Sequence, residues 1–182
     1  RKYILTREEC VALCRNWLKK KHRKEEWAYQ HIPPRIIVEE PVQQLGGDIL
    51  REYRLFAMSG KVKAIAVIGA IFRINGNDRL FFDRDWNPLP LTRKKITIHN
   101  NTLWNRPETL EEMVEAAERL SKDLDFVRVD LYNSTQGVLL GEMTVYPFAG
   151  EPGTPSSCPR FNKWLGDRSE ERRVGTECRS RW

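Results

Sequence analysis

The stretch FVRVDLY, Phe126–Tyr132, and its neighbour VLLGEMTVY, Val138–Tyr146, decide how this chain is read. Successive side chains of a strand point to opposite faces of its sheet. In the first stretch Val127, Val129 and Leu131 therefore share one face, towards a core, and Arg128 and Asp130 share the other. In the second, Glu142 and Thr144 share a face. Asn133–Gly137 reads as a turn, which makes the pair a hairpin. In its simplest register even positions pair with even positions, and Arg128, Asp130, Glu142 and Thr144 gather on one face. A cation, two carboxylates and a hydroxyl so placed suit Mg²⁺ and phosphate, because Mg²⁺ takes oxygen ligands, typically one or two carboxylates plus nucleotide phosphates. By spacing alone, an exposed salt-bridged face of an antiparallel sheet accounts for the same pattern.

Working upstream, Leu110, Met113, Val114, Ala117 and Leu120 recur at helical spacing, with Glu111, Glu112, Glu115 and Glu118 towards water. Pro107 is placed to begin that helix. Tyr53–Met58 and Lys61–Phe72 read as the strands of a hairpin around a tight Ser59-Gly60 turn. Asn75–Asp78 is a turn, and Leu89–Asn101 a loop. Between them lies FFDRDW, where Asp83 and Asp85 are expected to stabilise a turn. Trp86 and Trp104 are expected to pack rather than stack on sugar. Pro33-Pro34 breaks the chain ahead of RIIVEE, Arg35–Glu40, a β-branched strand by composition. Thr6-Arg7-Glu8-Glu9 has capping-box spacing, so a helix is predicted from Thr6. Val11, Cys14, Trp17 and Leu18 form its apolar stripe, and the basic run Lys19–Lys24 its solvated end. This order of helices and strands indicates the α+β class.

Composition excludes several functions. The 182 residues are 40% apolar and 31% charged, enough for a core and without a run of roughly 20 apolar residues that would span a membrane. The net charge of +6 reads first as a solvated basic surface, and an anionic nucleotide or polysaccharide fits the same charge. No RRM, helix-turn-helix or zinc-finger pattern is present, which disfavours nucleic acid. Cys10, Cys14, Cys158 and Cys178 show no CxxC spacing, so zinc is not indicated and reduced thiols are expected. His22, His31 and His99 lie far apart and form no catalytic spacing. The chain opens on Arg1 with no signal peptide, so a piece of a longer cytoplasmic protein is expected. Residues 168–182, RSEERRVGTECRSRW, carry no apolar periodicity. Apart from Thr176 they resemble a translated DNA-sequencing adapter, and they are set aside from the fold.

RVDLY followed by GEMTVYP resembles the metal-binding end of ATP-grasp enzymes, where an Asp and a Glu on neighbouring strands hold Mg²⁺ against nucleotide phosphates. The third position, commonly Asn in that superfamily, is Thr144, as in the TupA-like branch. RIIVEE resembles the segment lining the adenine pocket. REYRLFAMSGKVK resembles the DYKFFCFNGK-type hairpin, with Glu52 and Arg54 standing where that pattern has Asp and Lys. FFDRDWN resembles the FYDxxWN segment, and Pro107–Asp125 the helix before the metal strands.

The resemblance covers almost all of residues 1–166 and implies an ATP-grasp domain with a mixed or antiparallel sheet and flanking helices. It implies ATP and Mg²⁺ as cofactors. Asp130, Glu142 and Thr144 would bind metal, Arg128 and Arg54 phosphate, and Glu39, Glu40 and the backbone of Val38 the adenosine. The implied activity is carboxylate–amine ligation through an acyl phosphate, in cell-surface polysaccharide or teichuronopeptide synthesis. A carboxylated sugar or glutamyl group is the implied substrate. The family also has an earlier strand with a phosphate-binding Lys and a Gly-rich loop, neither of which precedes Arg1. Residues 1–166 are therefore expected to be a C-terminal portion, inactive by itself, and 167–182 a tail outside the domain. A glycosyltransferase-associated protein that binds polysaccharide without ATP chemistry is the rival reading.

Overall fold

In the computed structural model, which describes residues 5–20, 31–46, 50–69, 80–89, 105–145, 163 and 166–167, a capping box opens the first helix. The Thr6 amide donates to the Glu9 carboxylate at 2.8 Å, and the Glu9 amide to Thr6 Oγ1 at 3.2 Å. Two amides that the helix leaves unpaired are thereby satisfied. Helix α1 spans Arg7–Leu18 and belongs to a unit comprising Arg1–Pro41. No residue of α1 is buried, and Val11, Trp17 and Leu18 of its predicted stripe are exposed.

RIIVEE corrects the sequence reading. Arg35–Glu40 is not in a strand. Ile37 and Val38 are 79% and 90% exposed. A strand needs a neighbour to accept and donate its backbone hydrogen bonds, and β-branching reports only fitness for that setting. Pro33, Pro34 and Pro41 bracket the segment and remove three of the local donors.

The second unit, Val42–Trp182, is built on an antiparallel sheet. Its strands are β1 (Arg51–Met58), β2 (Lys61–Gly69), β3 (Leu80–Phe82), β4 (Val127–Ser134) and β5 (Gly137–Thr144). They lie in the order β3-β2-β1-β4-β5. β1 and β2 meet at Ser59-Gly60, where φ is +48° and +74°. Two left-handed residues in a row match the twist of a hairpin. At Gly60 a Cβ would come within 3.3 Å of the Lys122 backbone, a second reason for glycine there.

Helix α2, Leu110–Leu120, closes one face of the sheet. It buries Leu110, Met113, Val114 and Ala117 at i, i+3, i+4, i+7, while Leu120, expected in the same stripe, is exposed at the helix end. Pro107 sits one turn ahead of the first helical residue, its carbonyl accepting from Leu110. The stripe packs on Tyr53, Leu55, Val127, Val129 and Leu131, and each such fully buried side chain contributes about 1.5–3 kcal/mol. After β3, Asp83 accepts the amides of Asp85 and Asn87 at 2.9 and 2.7 Å, which fixes the tight loop as its composition indicated. That loop sets Trp86, at φ +70°, flat against Phe82 with ring centroids 4.2 Å apart. Trp104, His22, His99, Cys158, Cys178 and the tail 168–182 lie outside the described residues.

Candidate active site

β4 is a central strand with two differently furnished faces. Val127, Val129 and Leu131 enter the core beneath α2. Arg128 and Asp130 point to the other face yet are equally covered, at 6% and 2% exposure. β1 alternates in step, because Arg54 pairs with Asp130 and Glu52 with Tyr132. Glu52 and Arg54 therefore join the polar face, while Tyr53 and Leu55 enter the core. Beside them on the polar face lies a small apolar cluster of Phe56, Ala64, Ala66 and Phe81.

β5 completes the group through a break in regularity. Near the turn Ser134 pairs with Gly137 and Leu131 with Leu140, so even positions face odd ones. Continued without interruption, this register would set Glu142 opposite Val129, on the apolar face. It shifts between Asp130 and Leu131, and beyond the shift Asp130 pairs with Glu142 and Arg128 with Thr144. Gly141 is the extra residue of this β-bulge. The even-with-even pairing expected from sequence holds at the polar end only, and a bulge rather than the simplest register produces it. A Cβ at Gly141 would lie 2.6 Å from the Tyr132 ring and 3.3 Å from the Asp130 carbonyl oxygen. Glycine lets the ring of the facing strand close over the bulge.

Short ionic bonds tie the cluster together. Arg128 Nε and Nη2 donate to the two oxygens of Asp130, each at 2.7 Å. The same Nη2 reaches Glu142 Oε2 at 3.3 Å, and Thr144 Oγ1 donates to Glu142 Oε1 at 2.6 Å. Arg54 Nε donates to Glu52 Oε1 at 2.7 Å and lies 3.6 Å from Asp130 Oδ2. Burial pushes the Asp130 carboxyl up to about 6, although Arg128 and Arg54 oppose the shift. The like charge acting on Asp130 is Glu52, not the Glu142 that sequence reasoning singled out. Glu142 is 56% exposed, so water screens it. Burial also acts on Glu52, but the hydrogen bond and charge of Arg54 outweigh it and hold the carboxyl below its ordinary value.

The second unit thus brings together Arg54, Arg128, Asp130, Glu142 and Thr144, and it adds Glu52. Glu52 was legible as the residue two before Arg54 on the same strand face. Val38, Glu39 and Glu40 lie in the first unit, in the unpaired segment. An open cleft of about 590 Å³ is lined from α2 and the β1–β2 turn, away from the polar face. Two of its cations lie near its acids, Lys61 at 3.5 Å from Glu118 and Arg84 at 3.6 Å from Glu111, and it holds none of the cluster's residues.

The donor set fits a hard divalent cation that brings further ligands with it. Among the described residues no three His, Cys, Asp or Glu side chains are arranged to hold a metal by themselves. Mg²⁺ rarely needs such a cage, because it keeps waters and takes the rest of its shell from substrate phosphates. The group thus consists of a carboxylate pair on adjacent strands, a hydroxyl beside it and two arginines within reach of the buried carboxylate. The chain belongs to the TupA-like ATP-grasp family, whose model matches residues 6–169. No curated protein and no solved structure matches it. Among the described residues no helix is long and apolar enough to cross a membrane.

Proposed function

We propose that the protein is an ATP-dependent carboxylate–amine ligase, working through an acyl phosphate in cell-surface polysaccharide biosynthesis. The observation that carries this is the register shift that sets Glu142 beside Asp130 on a face already holding Arg54 and Arg128. In this reading Asp130, Glu142 and Thr144 hold Mg²⁺, which neutralises charge on the transferred phosphoryl group. Arg54 and Arg128 take phosphate oxygens, for which a guanidinium offers paired donors in a fixed fork. Glu52 holds Arg54 by its Nε and leaves the remaining donors of the fork for the nucleotide. Glu39, Glu40 and the backbone of Val38 hold the adenosine. The substrate is a carboxylated sugar or glutamyl group, whose carboxylate is the phosphoryl acceptor and whose acyl phosphate an amine then attacks. Family membership and the donor set support the ATP chemistry; the substrate class rests on the TupA-like branch alone.

Thermal unfolding with and without Mg-ATP tests the reading. A ligand at a hundred times its Kd stabilises by about 2.7 kcal/mol. Stabilisation is expected with Mg-ATP and is expected to disappear in Glu142→Gln, which keeps the size and removes the charge. In a protein that turns over, the same substitution should cut ADP release by about a hundredfold or more. Stabilisation by sugar polymer, with none by Mg-ATP, would instead favour a polysaccharide-binding protein.

A further inference from the structure

Asp130 and Glu142 already hold a cation, and it belongs to the chain. The Arg128 guanidinium is bidentate on Asp130, with both bonds at 2.7 Å, and it reaches one oxygen of Glu142 at 3.3 Å. The other Glu142 oxygen accepts from Thr144. Charge-assisted, bidentate bonds of this length are the strong form of the hydrogen bond. Arg128 and Asp130 are both buried, so salt and water weaken their pairing little. Every carboxylate oxygen that a metal would take from this pair is thus engaged by a donor of the chain. Mg²⁺ bonds carboxylate oxygen at about 2.0–2.1 Å and needs its lone pairs. A guanidinium on the same oxygens competes for them and repels the incoming charge.

We propose that Arg128 is a specificity-determining residue: it excludes a free divalent cation from the Asp130–Glu142 pair, so the site accepts the cation only together with a polyphosphate. The exchange balances in charge and geometry. Phosphate oxygens are as good a bidentate partner for a guanidinium as a carboxylate is. An arriving metal–triphosphate therefore supplies both the cation that replaces Arg128 and the anion that receives it. This rests on the reading of Asp130 and Glu142 as the metal pair.

Mn²⁺ titration followed by electron paramagnetic resonance on the 182-residue chain tests it without turnover. The wild type is expected to bind Mn²⁺ alone at least tenfold more weakly than Arg128→Met, which keeps much of the volume. Adding Asp130→Asn to Arg128→Met should erase the gain. Equal affinity in wild type and Arg128→Met overturns the proposal alone. Tight binding that survives in the double variant overturns the metal-pair reading and the proposal with it. Should Arg128→Met fail to fold, the wild type serves, through the NMR signal of Arg128 Nε–H. That signal should hold still with Mg²⁺ alone and move when Mg²⁺ is added with tripolyphosphate. Movement with Mg²⁺ alone overturns the proposal.

Discussion

The two faces of β4 are buried to nearly the same degree by opposite chemistry. On one, Val129 and Leu131 lie under α2 among apolar neighbours. On the other, Arg128 and Asp130 are covered at 6% and 2% exposure and held by ion pairs. The first face stabilises the fold through area removed from water. The second costs desolvation that its pairing only partly offsets, and buried ion pairs are on that account weak evidence of stability. Equal burial with unequal return is how a strand can serve as scaffold on one side and carry chemistry on the other. Each expected outcome below separates those two faces, beginning with the greatest loss.

Leu131→Ala should destabilise the second unit by about 2–5 kcal/mol, the range for deleting a buried aliphatic side chain and leaving a cavity. Urea unfolding followed by circular dichroism measures it. Mg-ATP affinity extrapolated to the folded fraction should be unchanged. A loss of nucleotide affinity beyond the loss of fold would mean that the faces are not separable.

The charged face should show itself in pH. Asp130 is raised to about 6, so the folded state favours its neutral form. The stabilisation this gives is fully present below the ordinary carboxylate range and is lost as pH rises through about 6. Two pH units correspond to on the order of 3 kcal/mol. Glu52 acts in the other direction, since its lowered carboxyl stabilises at higher pH and that gain is lost as the solution turns acid. Between about pH 4 and 7 wild-type stability should therefore fall relative to Asp130→Asn, which cannot titrate there. Parallel stability curves for the two proteins would show that the buried charge is not destabilising.

The bulge offers an intermediate effect. Gly141→Val places a branched side chain where even a Cβ would lie 2.6 Å from the Tyr132 ring and 3.3 Å from the Asp130 carbonyl oxygen. Overpacking of this kind costs about 1–3 kcal/mol. Because the bulge carries Glu142, metal-dependent nucleotide binding should fall by more than stability does. Adding Tyr132→Ala removes the ring from the clash and should restore part of both. Full Mg-ATP affinity in Gly141→Val would show that the position of Glu142 does not depend on the bulge.

What the sequence revealed and what it withheld divide along physical lines. The stripe of α2, the faces of FVRVDLY, the capping box at Thr6 and the Ser59-Gly60 turn were legible because each depends on residues near in sequence. The bulge was not. Alternation in VLLGEMTVY gives one phase, and only the pairing with β4 shows that Val138 packs against the core while Glu142 shares the opposite face with Asp130. Gly141 was the available signal, since a glycine inside a strand pattern marks bulges and close approaches. RIIVEE failed for the complementary reason. Its composition is that of a strand, but strand formation is settled by a partner that the segment itself does not encode.

The smallest effect on the fold is expected in that segment, to which the proposed function gives the adenosine. Glu39 and Glu40 are exposed and lie in no regular element. Alanine at either should change stability by no more than about 0.5 kcal/mol, as exposed substitutions generally do. If they hold the adenosine, their loss removes binding that ground state and transition state share equally. KM for ATP then rises and kcat is spared. Glu142→Gln, at the phosphate end in the proposed function, should differ by lowering turnover at saturating ATP as well as weakening Mg-ATP binding. Calorimetry with Mg-ATP on this chain, and steady-state kinetics in a longer protein that turns over, would read the two ends separately. An unchanged KM in both Glu39→Ala and Glu40→Ala would remove the adenine role and leave RIIVEE as an exposed acidic segment. A fall in kcat instead would place the two glutamates nearer the chemistry than their unpaired backbone suggests.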